Sequence, residues 1–179
     1  MKKTNKGFSM VELIIVIAIM AILAGALAPA LIKYINKSRL STDIQTANTI
    51  GTAIQTALSN ETGYDSAVAS YNTTVKDLST IYGASDAFAT SVKDTVGGNN
   101  APTLKAKKCM NKGSSATGYG GQFYIYVYPE KNYSCVMAGN NAAPTVAYNS
   151  GQVTVSNGHL LYPTADKCLT DDSVSQCGQ

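Results

Sequence analysis

The chain has 179 residues, 45% of them hydrophobic and 14% charged, and a formal net charge of +3. That length holds one compact domain plus a long additional element, and the apolar content excludes a disordered polymer. Lys2, Lys3 and Lys6 supply the excess charge. Without them 11 basic residues face 11 acidic ones, so the remainder exerts no global attraction on nucleic acid.

From Phe8 to Ile32, 25 residues contain a single ionisable side chain, Glu12. As a helix this stretch is roughly 37 Å long, enough to cross a hydrocarbon core of about 30 Å. Lys2, Lys3 and Lys6 precede it and favour an orientation with the N-terminus inside, while Lys33, Lys37 and Arg39 behind it blunt that bias. A cleaved secretory signal is a poor match, because such signals use apolar cores of about 7–15 residues. Ala26-Leu27-Ala28 resembles an A-x-A cleavage site, but Pro29 follows it at once. A plain single-pass anchor accounts for the length and leaves Glu12 without a role. A carboxylate at the centre of a membrane helix costs on the order of 2.5–3.5 kcal/mol, and less near the end, where it reaches toward the headgroups. A functional role for Glu12 requires a nearby cation present only in the working state.

The run Lys6-Gly7-Phe8-Ser9-Met10-Val11-Glu12-Leu13-Ile14, behind a short basic leader and ahead of continuous apolar sequence, resembles the class III signal of type IV pilins. The resemblance is specific over about residues 1–60 and architectural beyond. It implies cleavage by a prepilin peptidase between Gly7 and Phe8, with methylation of the new Phe8 amine. It implies in turn that Glu12 of an incoming subunit pairs with the Phe8 amine of a neighbour. An unpaired buried carboxylate is costly, so such a pair selects the correct register. The implied partners are other copies of the chain, the peptidase, a pilus assembly platform with minor pilins, and the membrane before assembly. The implied location is the cytoplasmic membrane for the precursor and a surface filament for the mature chain. The implied function is a structural subunit serving adhesion, motility or biofilm formation.

Pro29 lacks an N–H and weakens a helix around Gly25 to Ala28. In filaments of this family the matching proline marks where the helix can stretch. The second proline that the family often carries is absent, so one flexible point is expected, at Gly25–Pro29. The helix is expected to continue to Asn60, since Leu40, Ile44, Ala47, Gly51, Ile54 and Leu58 share one face. Arg39, Asp43 and the intervening Ser, Thr and Gln residues form the polar opposite face.

Residues 61–121 read as an irregular connection with short helices at Thr74–Tyr82 and Ser85–Val96, the second capped by Ser85 and ended by Gly97-Gly98. Strands begin at Gln122. Phe123, Ile125 and Val127 alternate with Tyr124, Tyr126 and Tyr128, giving an aliphatic and a tyrosine face. Pro129 to Asn132 turns into a partner at Tyr133–Met137. Val146–Tyr148 and Gln152–Val155 flank Asn149-Ser150-Gly151 as a hairpin, and Asn157-Gly158 turns into Leu160–Tyr162. The fold class is α+β: a long N-terminal helix packed against an antiparallel sheet of about four strands, which is the pilin architecture. The expected segments are 1–7 (leader), 8–32 (membrane and filament-core half of the helix), 33–60 (amphipathic half), 61–121 (connection) and 122–179 (sheet and tail).

The tyrosine face suits either stacking of carbohydrate or single-stranded nucleic acid, or packing under the preceding loop, and packing is favoured. Lys105, Lys107, Lys108 and Lys112 read as a solvated basic loop, so nucleic acid is not an expected partner. Cys109, Cys135, Cys168 and Cys177 all follow the apolar stretch, as suits disulfides formed after export. Three pairings are open, and local closure favours Cys109–Cys135 with Cys168–Cys177.

No nucleophile motif, Walker-type loop or H-E-x-x-H occurs, and no enzyme activity is expected. His159 is the single histidine and reads as a satisfied or surface residue. The cysteine spacings do not fit zinc, Asp171-Asp172 is a thin calcium pattern, and no metal or cofactor is expected. N-x-S/T triplets at Asn36, Asn60, Asn72 and Asn132 are common by chance in a chain of this composition. A pseudopilin of a secretion or DNA-uptake machine is the rival within the family. A membrane-anchored extracellular binding module is the rival from another class.

Overall fold

The computed structural model describes residues 7–106, 121–139, 143–149 and 151–170. Helix α1 spans Met10–Leu58 without interruption, and the chain divides into two compact units between Ser38 and Arg39. In the first unit every described residue is exposed, including Ile14, Ile17, Leu23, Leu27 and Leu31. A helix apolar on all sides is a buried core helix or a membrane span, and nothing within this unit covers it.

In the second unit the remaining part of α1 buries Leu40, Ala47, Ile50, Gly51, Ala53, Ile54 and Ala57. The expected stripe is present, with Ile44 and Leu58 half-buried and with Ile50, Ala53 and Ala57 widening it. Asp43 departs from the expectation. Helical spacing sets it on the polar face, yet it is 1% exposed, because backbone donors from another segment meet its carboxylate, as described below.

Asn60 does not end the helical region. It caps α2 (Glu61–Ser70), its side chain accepting from the Thr62 N–H at 3.2 Å. Gly63 in α2 packs so closely on the Ala57 carbonyl that a β-carbon there would overlap it. The helix expected at Thr74–Tyr82 is divided. Val75–Asp77 forms strand β1, and α3 (Leu78–Gly83) starts where the Asp77 carboxylate accepts from the Ser79 N–H at 2.7 Å. Helix α4 (Ala87–Val96) takes Asp86 as its cap instead of Ser85, and Gly97 closes it with φ of 79°. Asp and Asn carboxamide or carboxylate oxygens therefore set all three starts, by satisfying N–H groups that a first helical turn leaves unpaired.

Strands β2 (Gln122–Tyr128) and β3 (Tyr133–Gly139) pair in antiparallel register around a turn in which Asn132 is left-handed. The hairpin β4 (Thr145–Asn149) and β5 (Gln152–Ser156) forms its own two-stranded sheet, and β6 (Gly158–Tyr162) pairs with β3. The main sheet has four antiparallel strands in the order β1-β2-β3-β6. Its strand number matches the expectation, although β1 replaces the β4–β5 hairpin as a member. A short helix, α5 (Lys167–Thr170), ends the described chain. Ahead of it, Asp166 takes both backbone groups of Leu160: its N–H donates to the Leu160 carbonyl at 2.9 Å, and its carboxylate accepts from the Leu160 N–H at 3.0 Å.

Phe123, Ile125 and Val127 point into the main core with Ile50, Ile54, Phe88 and Leu161. The opposite face of β2 and β3 holds a second cluster of Tyr126, Cys135 and Met137, against which Val146, Tyr128, Tyr133, Val155 and Leu160 pack. Tyr148 of β4 meets Tyr128 and Tyr133 with ring centroids 5.4 Å apart in each case. The tyrosine face is thus packing, as favoured, but its cover is the β4–β5 hairpin.

Candidate functional site

The strongest chemistry suggested by the sequence lies at the start of α1. Gly7, Phe8 and Ser9 precede the helix, and Phe8 is 86% exposed. The Ser9 carbonyl accepts the first helical hydrogen bond, from the Leu13 N–H at 3.2 Å, which makes Ser9 the cap residue. Three residues later the Glu12 side chain reaches back, and its Oε2 accepts from the Ser9 N–H at 2.9 Å. This is the glutamate arm of a capping box. The S-x-x-E signature at Ser9–Glu12 is the sequence signal for this cap. The donor that Glu12 meets is thus a neutral peptide N–H, that of Ser9.

Pro29 lies inside α1, whose helical pattern is unbroken through it, and the space around Gly25 is open. Proline provides no N–H for the carbonyl four residues earlier, so the backbone at Gly25 lacks one helical bond. Gly7, Phe8, Glu12, Gly25 and Pro29 all belong to the first unit. The structure brings Glu12 to Ser9 and gives Phe8 no side-chain partner among the described residues.

In the second unit, the carboxylate of Asp43 accepts from the Lys105 N–H at 3.0 and 2.9 Å and from the Ala106 N–H at 2.7 Å. Burial pushes its pKa up, and the Ala106 and Lys105 amides oppose that only in part. The Asp86 carboxylate accepts from the Tyr71 hydroxyl at 2.6 Å, the Ser66 hydroxyl at 2.9 Å and the Ala89 N–H at 2.9 Å. Burial works against its charge, but the Tyr71, Ala89 and Ser66 hydrogen bonds outweigh this and hold its pKa below the usual carboxylate range. Both carboxylates tie separate segments of the chain together.

Cys135 is a buried free thiol in this structure, and Cys109, its partner by local closure, lies outside the described residues. Its side chain sits in the second cluster among Tyr126 and Met137. Burial pushes its pKa up to about 12, against a lowering contact from Tyr133. Such a thiol is an inert packing group. Cys109, Cys177, Lys107, Lys108, Lys112 and the Asp171-Asp172 pair lie outside the described residues. Cys168 belongs to α5. His159 is 3% exposed, which corrects the surface alternative, and its Nδ1 lies 3.5 Å from Asp166 Oδ2. Among the described residues no group of three potential ligands could hold a metal ion.

Residues 2–28 match the family model described as the prokaryotic N-terminal methylation motif. The chain is similar to the type IV major fimbrial protein FimA of Dichelobacter nodosus, with 31% identity over 143 residues. That alignment covers 75% of this chain and 90% of the relative. No solved structure matches the chain.

Proposed function

We propose that this chain, which belongs to the type IV pilin family, is the major subunit of a surface filament built by packing of its N-terminal helices. The observation that carries the reading is the pairing of an all-round apolar, fully exposed helix start with one carboxylate, Glu12, held at its first turn. An exposed surface of that kind needs lipid or other copies of itself around it. Before assembly the membrane supplies the cover, and in the filament the neighbouring helices do.

Cleavage between Gly7 and Phe8 creates an amine one residue from the Ser9 N–H that Glu12 already holds. A methylated Phe8 amine keeps its charge, and a neighbour's amine entering an apolar bundle then finds in Glu12 a preplaced acceptor. Desolvation makes a missing partner costly, so subunits without the pair are disfavoured. The family is one of structural proteins, not enzymes, and the second unit supplies the filament's outer surface. The relative's description as a major fimbrial protein supports a major pilin over a pseudopilin.

The test is to compare wild type and Glu12→Ala for filaments in the sheared surface fraction and for precursor in membranes. Loss of filaments with precursor retained is the expected result. Normal filaments from Glu12→Ala would contradict the assembly role, and a monomeric anchored domain in both strains would contradict the filament itself.

A further inference from the structure

At the far end of the apolar stretch, Lys33, Tyr34 and Lys37 are exposed, Tyr34 by 74%. At 3.6 residues per turn they fall within about 100° of one another around α1. Counted from Ile32, the last residue of the apolar run, Lys33 stands about 1.5 Å and Lys37 about 7.5 Å further along the axis. The headgroup layer on each side of a bilayer is about 5–8 Å deep, so this band spans that layer. Tyrosine, with an apolar ring and a polar tip, is a residue of membrane interfaces, and lysine stems extend along apolar surface to reach phosphates.

Two further facts single out the band. The first unit holds one carboxylate, Glu12, about 31 Å away along the helix, and among the described residues neither lysine has an ion-pair or hydrogen-bond partner. Positive charge at this end also opposes the orientation that Lys2, Lys3 and Lys6 set. The two lysines therefore work against membrane orientation and gain nothing from their own unit in return.

We propose that Lys33, Tyr34 and Lys37 form a docking band for the phosphates of anionic phospholipids, in the leaflet opposite Lys2–Lys6, holding the stored subunit at a fixed depth. The proposal rests on the membrane-stored precursor of the preceding section. Leaving the membrane for a filament then exchanges these phosphates for other surroundings, so the band resists spontaneous escape without contributing to the apolar bundle.

The experiment uses full-length chain carrying K2Q/K3Q/K6Q, so that the far-side lysines are the ones next to the membrane. It is reconstituted in mixed phosphatidylglycerol and phosphatidylcholine, and spin-labelled lipids report the composition of the shell around the helix. A lysine near an anionic surface corresponds to about fivefold in local preference. Adding K33Q/K37Q is expected to reduce the phosphatidylglycerol preference several-fold, to near parity, while K33R/K37R retains it. An unchanged preference in K33Q/K37Q, with helix content intact by circular dichroism, overturns the proposal. Loss of the preference on adding tens of millimolar inorganic phosphate, with no loss in sodium chloride of equal ionic strength, assigns the band to free anions and overturns the lipid source. Protease protection tests the membrane-spanning precursor separately from the docking band: residues after Ser38 on the same side as the N-terminus would overturn the spanning helix on which the band rests, whatever the lipid ratio.

Discussion

The Ser9 N–H and the Glu12 carboxylate, 2.9 Å apart, give the most unusual acid in the chain a partner within its own first turn. Glu12 therefore has two separable properties, an acceptor geometry and a charge. A neutral acceptor of the same length distinguishes them. Glu12→Gln keeps the reach to Ser9 and should leave the start of α1 formed, with the Ser9 amide still protected in the membrane-held precursor. If pairing with a methylated amine drives assembly, the same variant yields few or no filaments. Glu12→Ala also removes the arm of the capping box and leaves the Ser9 N–H without this acceptor. Filament yields near wild type in Glu12→Gln would show that the charge is dispensable.

Asp43 is the buried acid of the second unit, and it satisfies two backbone N–H groups at Lys105 and Ala106. Asp43→Ala leaves both donors unsatisfied, and each costs about 1–3 kcal/mol. The expected outcome is a loss of roughly 2–5 kcal/mol in denaturant unfolding of the second unit, with exchange at the Lys105 and Ala106 amides accelerated first. Asp43→Asn retains one acceptor and should lose less. A loss under about 0.5 kcal/mol in Asp43→Ala would mean that water replaces the carboxylate there.

Gly51 and Gly63 both make close approaches, against partners of different stiffness. A β-carbon at Gly51 meets the Tyr162 ring, a side chain that can rotate away, whereas one at Gly63 meets the Ala57 backbone carbonyl. Gly63→Ala forces α2 away from α1 and is expected to be the more damaging. The estimate for Gly51→Ala is about 1–3 kcal/mol, as for overpacking generally. Thermal melts of the two variants check the order, and a larger loss in Gly51→Ala would show that the Tyr162 ring is locked.

The pH dependence follows from the two acids, with opposite signs. Asp86 has a depressed pKa in the folded state, so its contribution is full above its ordinary value of 3.8 and is lost as pH falls through the folded value. Asp43 has a raised pKa, so its ionisation lowers stability as pH rises from 3.8 through the folded value. Tyr71→Phe removes the shortest hydrogen bond to Asp86 and should move the acid loss of stability to higher pH. Unfolding midpoints measured between pH 2 and 6 test this, and superimposed wild-type and Tyr71→Phe profiles would exclude Asp86 as the titrating group.

What the sequence disclosed was governed by the reach of each signal. The helix, its apolar half and the Phe123–Ile125–Val127 alternation were readable because periodicity reports burial directly. The stripe through Leu40 and Ile54 was readable for the same reason. Asp43 was misplaced because helical spacing alone cannot show that a segment 60 residues later presents two N–H groups to it. Asn60 signals an end and a start equally, since Asn serves both as a stop and as a cap, and here it starts α2. Val75–Asp77 carries no strand signal, because three residues are too few for a period of two, and only pairing with Tyr124–Tyr126 makes them a strand. The Ser9–Glu12 box was present as a pattern all along. The burial of Cys135 was not, because it depends on which face of β3 the sulfur occupies.

Processing into a filament subunit is decided by intact mass spectrometry of material sheared from the cell surface. The expected chain begins at Phe8 and carries one additional methyl group. A chain that still begins at Met1, found in membranes and absent from the sheared fraction, would contradict it.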